Sequence, residues 1–261
     1  MTSVLTTAQL ADLASINQVC AELGADLVVI GAMSLLIHFG NLGRYTRDID
    51  LTVALDLDEF AGLTARLTAG KWTRAPKVEH RWIAPKKTIV DLLPAGPGLR
   101  GHGSITWPES QFTMSLAGFE HVFSDAVKLS LPEGTIIRVA ALSSVALLKM
   151  IAYMEDPYRR AKDLQDIRLI LSRYEQGSDR LFSDAVFDAR LPDFAFTGAF
   201  LLGIDMSDLV PRNERRYVEE FVKRFLLDED EIAWDNETDS GRNTFLNRIL
   251  AFSKGFAGNQ I

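Results

Sequence analysis

Cysteine is nearly absent: Cys20 is the only one in 261 residues, so neither an intrachain disulfide nor a cysteine-ligated zinc site can form. Cys20 falls within an apolar helical pattern, which points to core packing. Histidine is also scarce, with four in the chain, and none has a partner at metal-ligand spacing. His38, His80, His102 and His121 are therefore expected to be ordinary core or surface residues. No hydrophobic run reaches the length of a membrane span, and no basic segment precedes an apolar stretch at the N-terminus. These absences predict a cytoplasmic protein with no membrane partner. There is no P-loop, no glycine-rich dinucleotide fingerprint and no Ser-His-Asp set. Positive charge is in deficit, with a formal net charge of −7, which argues against indiscriminate coating of nucleic acid or DNA-specific binding.

Charge distribution is more informative than the sum. Lys71, Arg74, Lys77, Arg81, Lys86 and Lys87 fall in one short span, whereas Asp228-Glu229-Asp230-Glu231 and the stretch 235–239 make the C-terminal region acidic. A basic span suits an anionic substrate; a solvated surface is the plainer alternative. The hydrophobic content of 47% against 24% charged residues is that of a globular chain with a substantial core, in one large domain or two modest ones.

The most informative stretch is Val28 to Leu55. Val28-Val29-Ile30 is a β-branched run that ends at Gly31, where a missing side chain allows a tight turn and close approach of a ligand. An apolar helix from Met33 to Phe39 follows, then Gly40, Gly43 and a basic loop, then Asp48-Ile49-Asp50 entering a second strand. Period-2 alternation puts Asp48 and Asp50 on one face. Two such carboxylates repel by roughly 4 kcal/mol at about 4 Å and an effective dielectric near 20. A hard divalent cation compensates them best; pairing with Arg44 and Arg47, or plain solvation, is the alternative.

These residues resemble the opening motif of the AbiEii-type nucleotidyltransferases of the DNA-polymerase-β-like superfamily: Gly31-Ala32, Ser34 nearby, then Arg44-x-Thr46-Arg47-Asp48-Ile49-Asp50. Ala32 departs from the family's Gly or Ser. The resemblance implies a mixed α/β (α+β) sheet flanked by helices, with a mainly helical C-terminal region. A catalytic region over 1–140 and a helical region over 141–261 that completes the active site are expected. Val78–Ile83 and Thr88–Leu93 should pair as a hairpin across Ala84-Pro85-Lys86-Lys87. Asp91 interrupts the apolar second run and occupies a place like that of the superfamily's third carboxylate; an exposed residue beside Lys86 or Lys87 is the alternative.

A second match lies about 100 residues on, in Lys149, Ala152, Arg159 or Arg160, Lys162, Asp163 and Asp166, which is similar to the family's Lys-x-x-Ala, Arg and Lys-Asp-x-x-Asp. Spacing puts Lys149, Tyr153 and Asp156 on one helix face, with Leu147, Leu148, Ile151 and Met154 on the apolar one. A Lys162–Asp166 surface ion pair is the alternative use of the second helix. A late Leu201-Leu202-Gly203 element also resembles relatives, and 101–127 carries no readable chemistry.

The resemblance implies transfer of a nucleoside monophosphate from an NTP to an acceptor hydroxyl. Asp48, Asp50 and Asp91 are the expected metal ligands for Mg²⁺ or Mn²⁺, with Asp91 alternatively taking the acceptor proton. Gly31, Ala32, Ser34, Arg44, Thr46, Arg47, Lys149, Lys162 and Asp166 are the expected nucleotide contacts. Lys149 and Asp163 carry a catalytic expectation, with Lys149 brought near Asp48 and Asp50 by the fold. Some relatives are toxins that modify the tRNA acceptor end and are silenced by an antitoxin, so RNA and an antitoxin are expected partners. The competing expectations are adenylylation of an aminoglycoside-type small molecule, and a non-catalytic nucleotide- or metal-binding protein.

Overall fold

The computed structural model describes residues 5–44, 46–76, 78–131, 134–227, 231–234 and 237–258. Lys77, the acidic 228–230 and residues 235–236 lie outside the described residues. The chain divides into two compact units, Met1–Ala141 and Leu142–Ile261.

The first unit begins with α1 (Thr7–Glu22), whose start is fixed by a capping box: the Thr6 hydroxyl accepts from Gln9 N–H, and the Gln9 side chain accepts from Thr6 N–H. There follow β1 (Leu27–Ile30), α2 (Gly31–Phe39), β2 (Asp48–Val53), α3 (Leu57–Ala69), β3 (Thr73–Arg74), β4 (Arg81–Ile83) and β5 (Ile89–Pro94). After them come α4 (Pro97–His102), β6 (Ser104–Thr106), β7 (Thr113–Ser115), α5 (Phe119–Ser124), β8 (Val127–Ser130) and β9 (Ile136–Val139). The seven-stranded sheet has the order β3-β4-β5-β2-β1-β9-β8 and is mixed: β2–β5 and β1–β9 are parallel, the other pairs antiparallel. β1 is buried along its whole length, as a central strand of β-branched residues should be. β2 alternates at its start, with Ile49 fully buried between the more open Asp48 and Asp50.

Asp56 joins two helices in this unit. It is the N-cap of α3, and its carboxylate accepts from Gly98 N–H and Leu99 N–H at the start of α4, at 3.1 and 2.8 Å. The expected hairpin is β4–β5, closed by Ala84 N–H donating to Thr88 C=O at 2.9 Å. Residues 104–115, unreadable in sequence, form the small β6–β7 ribbon.

Among the described residues the second unit is helical, with α6 (Leu142–Glu155), α7 (Ala161–Arg173), the short α8 (Asp184–Asp188), α9 (Thr197–Leu209), α10 (Arg215–Leu226) and α11 (Asp239–Ala257). α6 is buried on nearly every side, so its expected two-faced pattern gives way to enclosure: Lys149 and Tyr153 are both interior, and Asp156 lies past the helix end. Ser143 and Ser144 are buried within the first turn of α6. Tyr153 packs on Phe221 and Phe225 of α10. α9 and α11 cross closely at Gly203 and Gly255, where a Cβ would stand 2.1 Å from Phe252 C=O and 2.0 Å from Phe200 C=O. That gives the Leu201-Leu202-Gly203 element a packing role.

Candidate active site

Three carboxylates converge on the sheet of the first unit. β2 carries Asp48 and Asp50, and the parallel register sets Asp50 directly opposite Asp91 on β5. Side chains two apart on a strand share a face, so Asp48, Asp50 and Asp91 point the same way. On the other flank Asp50 is opposite Ile30, the last residue of β1, and the chain then turns into α2 at Gly31 with φ +63°. A Cβ at Gly31 would lie 2.1 Å from Asp50 Oδ2. Glycine is required there on both counts, conformation and space.

The structure adds a residue that the sequence offered only as one member of a basic span. Arg81 on β4 is opposite Asp91. Its guanidinium donates two bonds of 2.7 Å to the two oxygens of Asp91 and a third of 3.2 Å to Asp48 Oδ2. The fork geometry of arginine suits this bridging. The hydrogen bond to Asp91 is the largest cause holding the Arg81 guanidinium above its ordinary pKa, against an opposing desolvation effect. Neither Lys86 nor Lys87 is the partner of Asp91. A sequence signal for Arg81 existed: with Ala84–Thr88 as the turn, hairpin pairing of Ile83 with Ile89 puts Arg81 across from Asp91.

The remaining expected residues of this unit divide by location. Ala32 is half-buried in the first turn of α2. Ser34 is fully buried and its hydroxyl donates to Gly31 C=O at 2.7 Å, so it supports the helix start rather than facing the carboxylates. Arg44 and Thr46 are half-buried and Arg47 is exposed in the loop before β2. In the basic span, Arg74 is paired with Glu79 and Glu109, while Lys71, Lys86 and Lys87 are exposed.

The second motif forms its own cluster in the second unit. The Lys149 ammonium is buried and lies 2.8 Å from both Asp163 Oδ1 and Asp166 Oδ2. Burial alone would lower its pKa, but the two aspartates outweigh that and leave it raised. Arg160 reaches Asp163 at 3.7 Å, and Lys162 is exposed. The alternative Lys162–Asp166 surface pair does not form: Asp166 is interior and is taken by Lys149.

Among the described residues, no group of three acidic, histidine or cysteine side chains is already arranged around a metal position. Asp48, Asp50 and Asp91 nevertheless present hard carboxylate oxygens, the donor type that Mg²⁺ and Mn²⁺ take, with Gly31 packed against Asp50 and Arg81 bridging the other two.

Residues 16–240 match the family described as nucleotidyl transferase AbiEii toxin, type IV toxin-antitoxin system. The chain belongs to this family. It is accordingly a nucleotidyltransferase, built on a mixed sheet with a helical C-terminal unit. No curated protein matches it. Among solved structures, an antigenic nucleotidyltransferase-like protein from Paracoccidioides brasiliensis is 16% identical with a TM-score of 0.43, covering 78% of this chain and 92% of its own. ANT(2")-Ia in complex with adenylyl-2"-tobramycin is 15% identical with a TM-score of 0.41, covering 62% and 87%. The Thermotoga maritima CCA-adding enzyme complexed with tRNA is 15% identical with a TM-score of 0.35, covering 95% and 63%.

Proposed function

We propose that the face formed by Asp48, Asp50 and Asp91 binds an NTP with Mg²⁺ and transfers its nucleoside monophosphate to a hydroxyl of RNA. The acceptor end of tRNA is the proposed target, with the protein acting as a toxin restrained by an antitoxin. The observation that carries the reading is the register of Asp50 against Asp91, with the Asp50 carboxylate packed against Gly31 where a Cβ would stand 2.1 Å from its Oδ2. Membership of the AbiEii toxin family supports the reaction class and the presence of an antitoxin.

In the reaction the acceptor oxygen bonds to the α-phosphorus, the bond to the pyrophosphate oxygen breaks, and the hydroxyl proton leaves to a base. Bound Mg²⁺ supplies charge neutralisation of the triphosphate and of the departing pyrophosphate. Asp48 and Asp50 would hold it, and Gly31 gives the Asp50 carboxylate the room it occupies. The start of α2 directs backbone N–H groups to anionic oxygens. Asp91, once separated from Arg81, would serve as a further ligand or take the acceptor proton. Most of the rate gain comes from positioning and charge stabilisation. The exposed Lys71, Lys86 and Lys87 favour a polyanionic acceptor over a cationic antibiotic.

Incubating the protein with α-labelled NTPs and either total RNA or aminoglycosides tests this. Label should enter RNA, need Mg²⁺, weaken steeply with rising salt and vanish in Asp50→Asn. Label on the antibiotic alone would replace RNA with a small-molecule acceptor. NTP binding without transfer to either would leave a non-catalytic binding protein.

A further inference from the structure

Arg81 bridges two of the carboxylates to which the proposed function assigns a metal ion. Its guanidinium takes both oxygens of Asp91 and one of Asp48, two of the three carboxylates on the face. The Asp91 side chain is only 13% exposed, whereas that of Arg81 is 37% exposed, so the arginine can swing into water without unpacking the sheet. From these observations we infer that Arg81 is a resident counter-cation that competes with the divalent metal. It holds the metal-free carboxylates together, and its release from Asp91 and Asp48 is coupled to metal loading. The inference rests on the metal-binding reading above and adds a positioning residue that sets how tightly metal is held.

The competition follows from charge. A guanidinium within hydrogen-bond distance of a carboxylate lowers that carboxylate's attraction for a second cation, and both of its oxygens are engaged at once. Removing the guanidinium should free Asp91 and Asp48 for the metal while leaving them short of a counter-charge in its absence.

The test is Mn²⁺ binding to the intact protein without nucleotide, read by electron paramagnetic resonance, together with the thermal shift that Mn²⁺ produces. Arg81→Gln should bind Mn²⁺ about tenfold more tightly than the wild type and show the larger stabilisation by Mn²⁺, because metal then replaces the lost counter-cation. Arg81→Lys should fall between them, since an ammonium cannot bridge three oxygens as a fork does. It also serves if the glutamine variant does not fold. Unchanged or weaker Mn²⁺ affinity in Arg81→Gln, with Asp50→Asn abolishing binding in the wild type, would overturn the inference and keep the metal reading. Mn²⁺ binding that survives Asp50→Asn, or no binding by any variant even with a non-hydrolysable NTP, would remove both.

Discussion

Single atoms decide much of this molecule. Gly31→Ala would put a methyl carbon 2.1 Å from Asp50 Oδ2 at a φ of +63°, so Asp50 must move. We expect that variant to fold, at a cost of about 1–2 kcal/mol for the left-handed conformation, and to lose NTP binding. Circular dichroism beside an NTP titration checks both parts. Lys149 behaves differently. Its ammonium neutralises two aspartates in the interior of the second unit, and Lys149→Met leaves Asp163 and Asp166 facing each other without it. Breaking such a buried arrangement costs about 3–5 kcal/mol, so urea unfolding should show a large loss before any assay of transfer is read. Retained stability would show that the pair of aspartates finds another partner. The spacing of the two motifs was legible, but not the destination of Lys149, because helical periodicity says which residues share a face and not whether that face is enclosed. Ser34 was likewise visible as a nearby hydroxyl, yet its bond to Gly31 C=O depends on where α2 begins. Arg81 was legible in principle, by counting back from the hairpin turn, and looked like one cation among six.

At the scale of elements, local patterns were the readable part. The β4–β5 hairpin follows from short-range strand and turn rules that need no knowledge of neighbours. Parallel pairing was less accessible. That β2 lies beside β5 with Asp50 against Asp91 depends on strands some forty residues apart, and only the resemblance to a family suggested it. The ribbon of β6 and β7 escaped because each strand is three residues long. In the helical unit, the contact of α9 with α11 depends on Gly203 meeting Gly255. Gly203→Ala would drive a methyl into Phe252 C=O, and we expect overpacking to cost about 1–3 kcal/mol, visible as a lowered unfolding midpoint. An unchanged midpoint would mean that the two helices separate without penalty.

Across the molecule, titration and metal loading give the broadest readouts. Burial is the first cause holding His38 and His80 below the ordinary imidazole value of 6.5; for His38 a bond to Ala140 C=O, and for His80 the charge of Asp91, act the other way. The unfolded chain therefore takes up these protons first as pH falls. Their contribution to stability is complete above about pH 6.5 and is lost between that value and the lower folded ones. Denaturation midpoints measured from pH 7.5 down to 5.5 should fall, and His38→Gln should flatten part of the slope. Cys20 is fully buried with its thiol pushed up to about 12, so a thiol reagent at pH 8 should label it only when the protein unfolds. Among the described residues no helix is long and apolar enough to cross a membrane. The central claim is that Asp48 and Asp50 hold the metal of an NTP complex, and one titration addresses it: labelled NTP added to the wild type, Asp48→Asn, Asp50→Asn and His80→Gln, each with Mg²⁺ and with EDTA. Binding should require Mg²⁺, collapse in both asparagine variants and persist in His80→Gln. Equal affinity in the chelated wild type would contradict it.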